Sequence, residues 1–210
     1  MKGRTFLSLA KTRVRNAGLD WNRLCEQARQ IVVYGSRATS AHGRTSDLDL
    51  LCIGVGDRFK SKRLHIIWVP ESRLRQKRWL GSELATHVAA YGQWIKGEND
   101  WAYSTRPNAH ALRLVRKRVK GRATAIRQNW EFLLPHLRAK QVTRLRRDLQ
   151  RLLMMREGNP PVASGTLDTR WYEDGGSRAW DLALRHSPSL AREIRPVLAL
   201  ARRSASSRTR

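Results

Sequence analysis

The stretch Ile31-Val32-Val33-Tyr34-Gly35-Ser36-Arg37-Ala38-Thr39-Ser40-Ala41-His42-Gly43-Arg44-Thr45-Ser46-Asp47-Leu48-Asp49-Leu50-Leu51 decides the reading of this chain. A run of β-favouring apolar residues, Ile31–Tyr34, meets a Gly-Ser turn, and a second apolar run opens with an Asp-Leu-Asp triplet eleven residues after Ser36. Residues i and i+2 of a strand project from one face. Asp47 and Asp49 are therefore side by side, an arrangement that repels unless a cation lies between them. Gly35 lets backbone approach a phosphate without a Cβ clash, and Ser36 offers both a hydroxyl and an amide. A small turn beside paired acids is what a site needs to hold a nucleoside triphosphate with Mg²⁺ or Mn²⁺. Arg37 and Arg44 border the same loop and are candidates for phosphate contact, although in so arginine-rich a chain a solvated role fits them equally well.

Working outward, Asp20 is placed to cap a helix running to about Gln30, and residues 1–18 read as a basic arm or a first short helix. Ser36–Ala38 is expected to open a short helix whose N–H groups face the phosphates. Asp47–Ile53 is expected to be a strand with Leu48, Leu50 and Cys52 on the core face, and Leu64–Val69 a further strand closed by Pro70. From Arg73 to Gly97 the apolar residues Leu80, Leu84, Val88, Tyr91 and Ile95 recur at spacings of three and four, which predicts a helix with Gly97 as its C-cap. Residues 98–109 read as a linker. Two long helices are expected at about 109–134 and 138–156, split by Pro135, then a Gly/Pro-rich loop at 157–177, helices at about 178–186 and 188–203, and a disordered tail.

The Gly-Ser turn, the ten intervening residues and the Asp-x-Asp pair resemble the signature of the polymerase-beta-like nucleotidyltransferases, in particular their small, minimal members. The order of elements extends the likeness to roughly residues 19–97. The resemblance implies an α+β fold: a small mixed sheet with flanking helices over residues 1–98, then a basic all-helical domain over 109–203 and a tail at 204–210. It implies that Asp47 and Asp49 bind the metal, that Gly35 and Ser36 hold the triphosphate, and that a nucleoside monophosphate moves to a hydroxyl. Members of this kind occur in bacterial toxin–antitoxin pairs.

One departure stands out. Active members of the family carry a third carboxylate on the next strand, and the position resembling it here is His65, in Arg63-Leu64-His65-Ile66-Ile67-Trp68-Val69. Three readings stay open. His65 acts as general base or metal ligand, since neutral imidazole does both. Another acid serves instead, with Asp57, Glu71 and Glu83 nearest and Glu131, Glu173, Asp174 and Asp181 in the helical half. Or the site binds nucleotide or nucleic acid without turnover, the chain acting as a binding protein or antitoxin.

The formal net charge of +25, from 42 basic and 17 acidic residues, favours a polyanionic partner, RNA above DNA, and strongly salt-dependent binding. Arg113, Arg116, Lys117, Lys120 and Arg127, with Arg118 and Arg122 among them, read as one broad basic helix face suited to a phosphate backbone. A protein partner is left open. The surplus of cations argues against a cationic aminoglycoside as acceptor. Trp68 and Trp101 are candidates for base stacking, with core packing as the default. Cys25 and Cys52 make neither a disulfide framework nor a zinc site, which fits a reducing cytoplasm. No apolar stretch approaches the ~20 residues of a membrane span.

Overall fold

Ile31, Val32 and Val33 are fully buried, and so are Leu50, Leu51, Cys52 and Ile53. Runs this apolar on both faces belong to central strands. They form the middle of a five-stranded mixed sheet in the computed structural model, which describes residues 2–39, 46–173, 180, 185 and 188–206. The strands are β1 (Ala28–Tyr34), β2 (Leu48–Gly54), β3 (Phe59–Lys60), β4 (Leu64–Val69) and β5 (Gln93–Lys96), in the order β3-β4-β2-β1-β5. β2 and β4 are parallel, and the other neighbours are antiparallel.

Helices cover both faces of the sheet. On one, Leu48, Leu50, Cys52, Leu64 and Ile66 pack with Ala10 and Val14 of α1 (Lys2–Asn16) and Trp21 and Leu24 of α2 (Trp21–Gln27). The first residues are thus a docked helix rather than a loose arm, held by buried side chains worth roughly 1.5–3 kcal/mol each when large and fully enclosed. Asp20 caps α2, its Oδ1 accepting from the Asn22 and Arg23 amides at 2.7 and 3.3 Å. The helix is shorter than expected because the chain from Ala28 onward is drawn into β1. On the other face, Val32, Tyr34, Leu51, Ile53 and Val69 pack with Leu74, Trp101, and Ala85 and Val88 of the helix at Glu83–Tyr91.

Two expectations are corrected here. Gly35–Thr39 is a turn, with no short helix at Ser36–Ala38. The single helix foreseen over 73–97 is a 3-10 turn at Glu71–Arg73, α3 (Lys77–Leu80), α4 (Glu83–Tyr91) and then β5. Ser82 caps α4, its Oγ accepting from the Ala85 amide at 3.1 Å. The periodic residues are helical only to Tyr91, and beyond it the open edge of β1 recruits Trp94 and Ile95 into a strand. Tertiary pairing overrides a four-residue spacing that fitted a helix. Trp101 follows its default reading of core packing: it is buried, donates its indole N–H to Gln30 at 2.8 Å and lies among Trp79 and Trp94.

The chain divides into two compact units. The first runs to Ala111 and takes in Gly158–Thr166; the second comprises Leu112–Glu157 and the chain from Leu167 onward. The second is helical, built on α5 (Ala109–Asn129), α6 (Pro135–Arg156), α7 (Ser164–Glu173) and α8 (Pro188–Ser206). Pro135 sits at the start of α6, where its missing N–H costs nothing. α7 occupies part of the expected 157–177 loop, and α8 runs to Ser206, into the expected tail. Most of the helix expected at 178–186, and residues 207–210, lie outside the described residues. Among the described residues no helix is long and apolar enough to cross a membrane.

Candidate functional site

The alternation along β2 places Leu48 and Leu50 in the core beneath α1 and α2 and turns Asp49 to the opposite face. Tyr34, the last residue of β1, is the register partner of Asp49, so the turn that follows it lies directly over the acid. The contact is close: a Cβ at Gly35 would stand 2.5 Å from Asp49 Oδ2, and Gly35 has φ +74°. Glycine is required here by both the left-handed backbone and the carboxylate beside it. The structure brings Gly35, Ser36 and Asp49 to one end of the sheet, with Asp47 one residue ahead of β2.

Asp49 is strongly perturbed. Burial, and next the charge of Asp47, push its carboxyl up to about 6; the hydrogen bond and charge of His65 and the charge of Lys60 oppose the shift. The same surroundings raise the Tyr34 hydroxyl, through burial first and the Asp49 charge second. Burial and a neighbouring like charge both disfavour the ionised form of a carboxyl.

His65 is the parallel register partner of Asp49 and points to the same face. Its Nδ1 lies 3.3 Å from Asp49 Oδ1, and both side chains are mostly buried. On its other side Arg58 approaches Nε2, with Nε at 3.3 Å and Nη2 at 3.2 Å. A guanidinium can only donate. Nε2 therefore carries the lone pair, and the Nδ1 proton is donated to Asp49. His65 in this arrangement is a neutral hydrogen-bond donor to the acid, with its basic nitrogen capped by Arg58.

Among the described residues no group of three or more His, Cys, Asp or Glu side chains is placed to share a metal ion. Glu71 pairs instead with Arg29 at the far end of β1, at 3.3 Å. Asp47 and Asp49 are the carboxylates that could hold one hard cation. That set fits Mg²⁺ bound through two carboxylates, with substrate phosphates and water completing its shell.

The loop residues divide. Arg37 donates from Nε to the Asp47 carbonyl at 3.0 Å and from Nη2 to the Ser46 carbonyl at 2.6 Å, tying the turn to the start of β2. Burial, followed by the charges of Arg13 and Arg63, lowers its pKa. Its guanidinium thus has a structural task, whatever contact it also makes. Arg44 lies outside the described residues, as do Asp174 and Asp181.

Sequence reasoning missed Arg58, on the loop before β3, and His87, inside α4. His87 Nε2 accepts the Gly35 amide at 3.2 Å. Their partners lie 7 and 52 residues away, respectively, and no local pattern marks either pairing.

In the second unit the basic stretch splits into two faces. Arg113, Arg116, Lys117 and Lys120 line a cleft of about 390 Å³ that also touches Glu193 of α8. Arg118 and Arg122 turn away from it to Asp148 of α6, at 3.1 and 2.9 Å. The single broad basic face is corrected: at 100° per residue, positions 118 and 122 fall beside the buried stripe Val115–Val119–Ala123. Arg127 is exposed and does not line the cleft.

Residues 21–91 match the nucleotidyltransferase domain family. No curated protein matches the chain significantly. Among solved structures, a nucleotidyltransferase-like protein from Exiguobacterium sibiricum is 17% identical, over 86% of this chain and 69% of that one, with a TM-score of 0.40. A toxin–antitoxin structure with AMP-PNP is 14% identical, over 60% of this chain and 98% of that one, with a TM-score of 0.27. Both overlaps are loose, and the assignment rests on the family match together with the Gly-Ser turn poised over Asp49. Residues 21–91 are therefore similar to a nucleotidyltransferase domain, and the matched segment contains the Gly-Ser turn, Asp47, Asp49 and His65.

Proposed function

We propose that this chain binds a nucleoside triphosphate with Mg²⁺ or Mn²⁺ and transfers its nucleoside monophosphate to a hydroxyl, with RNA as the acceptor. The observation that carries the reading is the position of the Asp49 carboxylate beneath the Gly35–Ser36 turn. Asp47 and Asp49 would hold the cation, whose charge would offset that of the triphosphate and the departing pyrophosphate. Gly35 keeps the turn open, and Ser36 presents its amide and hydroxyl to a phosphate. His65 orients Asp49 through the Nδ1 proton. The acceptor oxygen bonds to the α-phosphorus as the bond to pyrophosphate breaks, and the hydroxyl proton leaves to solvent or to a phosphate oxygen.

The cleft lined by Arg113, Arg116, Lys117 and Lys120 supports a polyanionic acceptor such as a tRNA end. A protein hydroxyl is the other acceptor class, and a role in a toxin–antitoxin or defence system agrees with either. The test is incubation with α-labelled NTPs, Mg²⁺ and total RNA, with Asp47→Asn/Asp49→Asn as control. Label on RNA that depends on both aspartates supports the proposal; no label above the control on RNA or protein overturns it.

A second reading is favoured by one specific observation. No third acid joins Asp49 among the described residues, and Arg58 occupies the lone pair of His65. On that reading the domain holds nucleotide and nucleic acid without turnover. It predicts RNA binding that survives EDTA and the double Asn variant, with no pyrophosphate released.

A further inference from the structure

We propose that His87 is the positioning residue of the Gly35–Ser36 turn, holding it at the height over Asp49 that triphosphate binding needs. This inference rests on the reading that the turn receives the phosphates.

The geometry starts with an amide that has outrun its sheet. The β1–β2 ladder ends at the Tyr34–Asp49 pair, so the Gly35 N–H is the first of the turn with no strand partner. Its acceptor is His87 Nε2 at 3.2 Å. An amide donates only to a nitrogen bearing a lone pair, so the imidazole is neutral with its proton on Nδ1. That proton is given to the Pro161 carbonyl at 2.7 Å. Both ring nitrogens are thereby fixed in role, and the tautomer is set by a backbone group 74 residues away in sequence. Pro161 follows Pro160, so the backbone presenting that carbonyl is itself restricted.

The ring cannot drift. His87 is about nine-tenths buried, and Thr86 and Val88 on either side of it are essentially inaccessible. The Tyr34 ring stands edge-on at 6.4 Å between centroids, and the Tyr91 ring is tilted at 5.4 Å. The turn is consequently tied at two points by different elements, its amide to α4 through His87 and its far side to the start of β2 through Arg37. The Gly35 amide is engaged by His87, and Ser36 beside it is half-buried. A rise or fall of the turn by less than an ångström would change whether its amides and the Asp49 carboxylate reach one triphosphate together, because the Gly35 Cα already borders that carboxylate.

A purely structural histidine would make the same hydrogen bonds, and the test separates the two. His87→Leu keeps volume and removes the acceptor; His87→Gln restores an acceptor at the reach of Nε2. Mg²⁺-ATP and Mg²⁺-GTP binding are measured by calorimetry, RNA binding by filter retention, and folding by thermal melting and circular dichroism. The proposal expects His87→Leu to weaken NTP binding by about tenfold or more, and His87→Gln to recover most of that loss. RNA affinity is expected to be unchanged in both. It also expects faster hydrogen exchange of the Gly35 amide in His87→Leu, restored in His87→Gln. Wild-type NTP affinity in a folded His87→Leu protein overturns the proposal, and so does equal loss in both variants in parallel with lowered melting temperature. If the wild type binds no NTP, the proposed function fails on its own; unchanged Gly35 exchange in His87→Leu then overturns the positioning role, and the expected pair of exchange rates sustains it.

Discussion

Asp49 on β2 and His65 on β4 face each other across a parallel strand pair, with His65 Nδ1 3.3 Å from Asp49 Oδ1. The imidazole donates its proton to the acid, and its other nitrogen is capped by Arg58. If the missing third acid limits transfer, His65→Asp should raise it. The new carboxylate would stand beside Asp49 and within reach of Arg58, adding a hard oxygen ligand where imidazole offers none to Mg²⁺. An increase of roughly tenfold or more in the transfer rate, with half-saturation at lower Mg²⁺, is the expected outcome of a metal titration. An unchanged or lower rate assigns His65 a role that an acid cannot fill.

Asp49 is held in a place that favours the site over the fold. Its carboxyl is pushed up to about 6, mainly by burial. A carboxyl with a raised folded-state pKa binds its proton more tightly in the folded chain. Its contribution is complete below the ordinary carboxylate pKa and is lost as pH rises through about 6. Without metal at pH 7, Asp49→Asn should stabilise the domain by about 2 kcal/mol, since the amide still accepts from His65. Melting curves at pH 7 and pH 4 check this, because the gain should fade at the lower pH. A variant less stable than the wild type at pH 7 contradicts it.

Asp168 has the opposite sign. Burial pushes its carboxyl up, but hydrogen bonds and charge from Arg147 and Arg146 outweigh this and hold it below the ordinary value. Its contribution is present above the unfolded carboxylate pKa and is lost as pH falls through the folded one. Asp168→Asn should cost the helical unit roughly 1–3 kcal/mol at pH 7, and the difference from wild type should shrink in acid. Thermal melts across pH 2–7 read both.

The two halves of the basic stretch should separate by phenotype. Arg113→Ala/Lys117→Ala removes cations that line the cleft, so RNA affinity and its salt dependence should fall, the slope by about 0.7 for each phosphate left without its cation, with melting unchanged. Arg122→Ala removes a partner of the buried Asp148 and should lower stability by about 2 kcal/mol, with the salt slope of RNA binding retained. Filter binding at several salt concentrations beside thermal melts distinguishes them.

How much of this was legible in the chain depended on range. Ile31–Tyr34, Asp47–Ile53 and Leu64–Val69 are local patterns, and β1, β2 and β4 follow them closely. Asp49 and His65 could be named from the sequence because the family's order of elements puts them on neighbouring strands. β5 was hidden because Trp94 and Ile95 take their conformation from β1, about sixty residues earlier. Arg37 was visible only as a charge beside a loop; that it ties Ser46 and Asp47 is a matter of where the chain returns. His87 was one polar residue inside a helix, and its meaning comes from Gly35 and Pro161, neither of them near it in sequence.

Gly35→Ala provides a steric check. The new Cβ would sit 2.5 Å from Asp49 Oδ2 on a backbone with φ +74°, so either the turn or the acid must move. A loss of about 1–3 kcal/mol in stability, together with loss of NTP binding, is expected. Full binding by the Ala variant would mean that the turn and the acid do not act together.

On the proposed function, Asp47 and Asp49 hold a cation and a triphosphate beneath the Gly35–Ser36 turn. Its most direct measurement is calorimetric titration of the full chain with non-hydrolysable ATP and GTP analogues, in Mg²⁺ and in EDTA. Saturable binding of at least one analogue in Mg²⁺, lost in EDTA and in Asp47→Asn/Asp49→Asn, is the expected result. Absence of binding to either analogue, or binding of equal strength in EDTA and in the double variant, would contradict it.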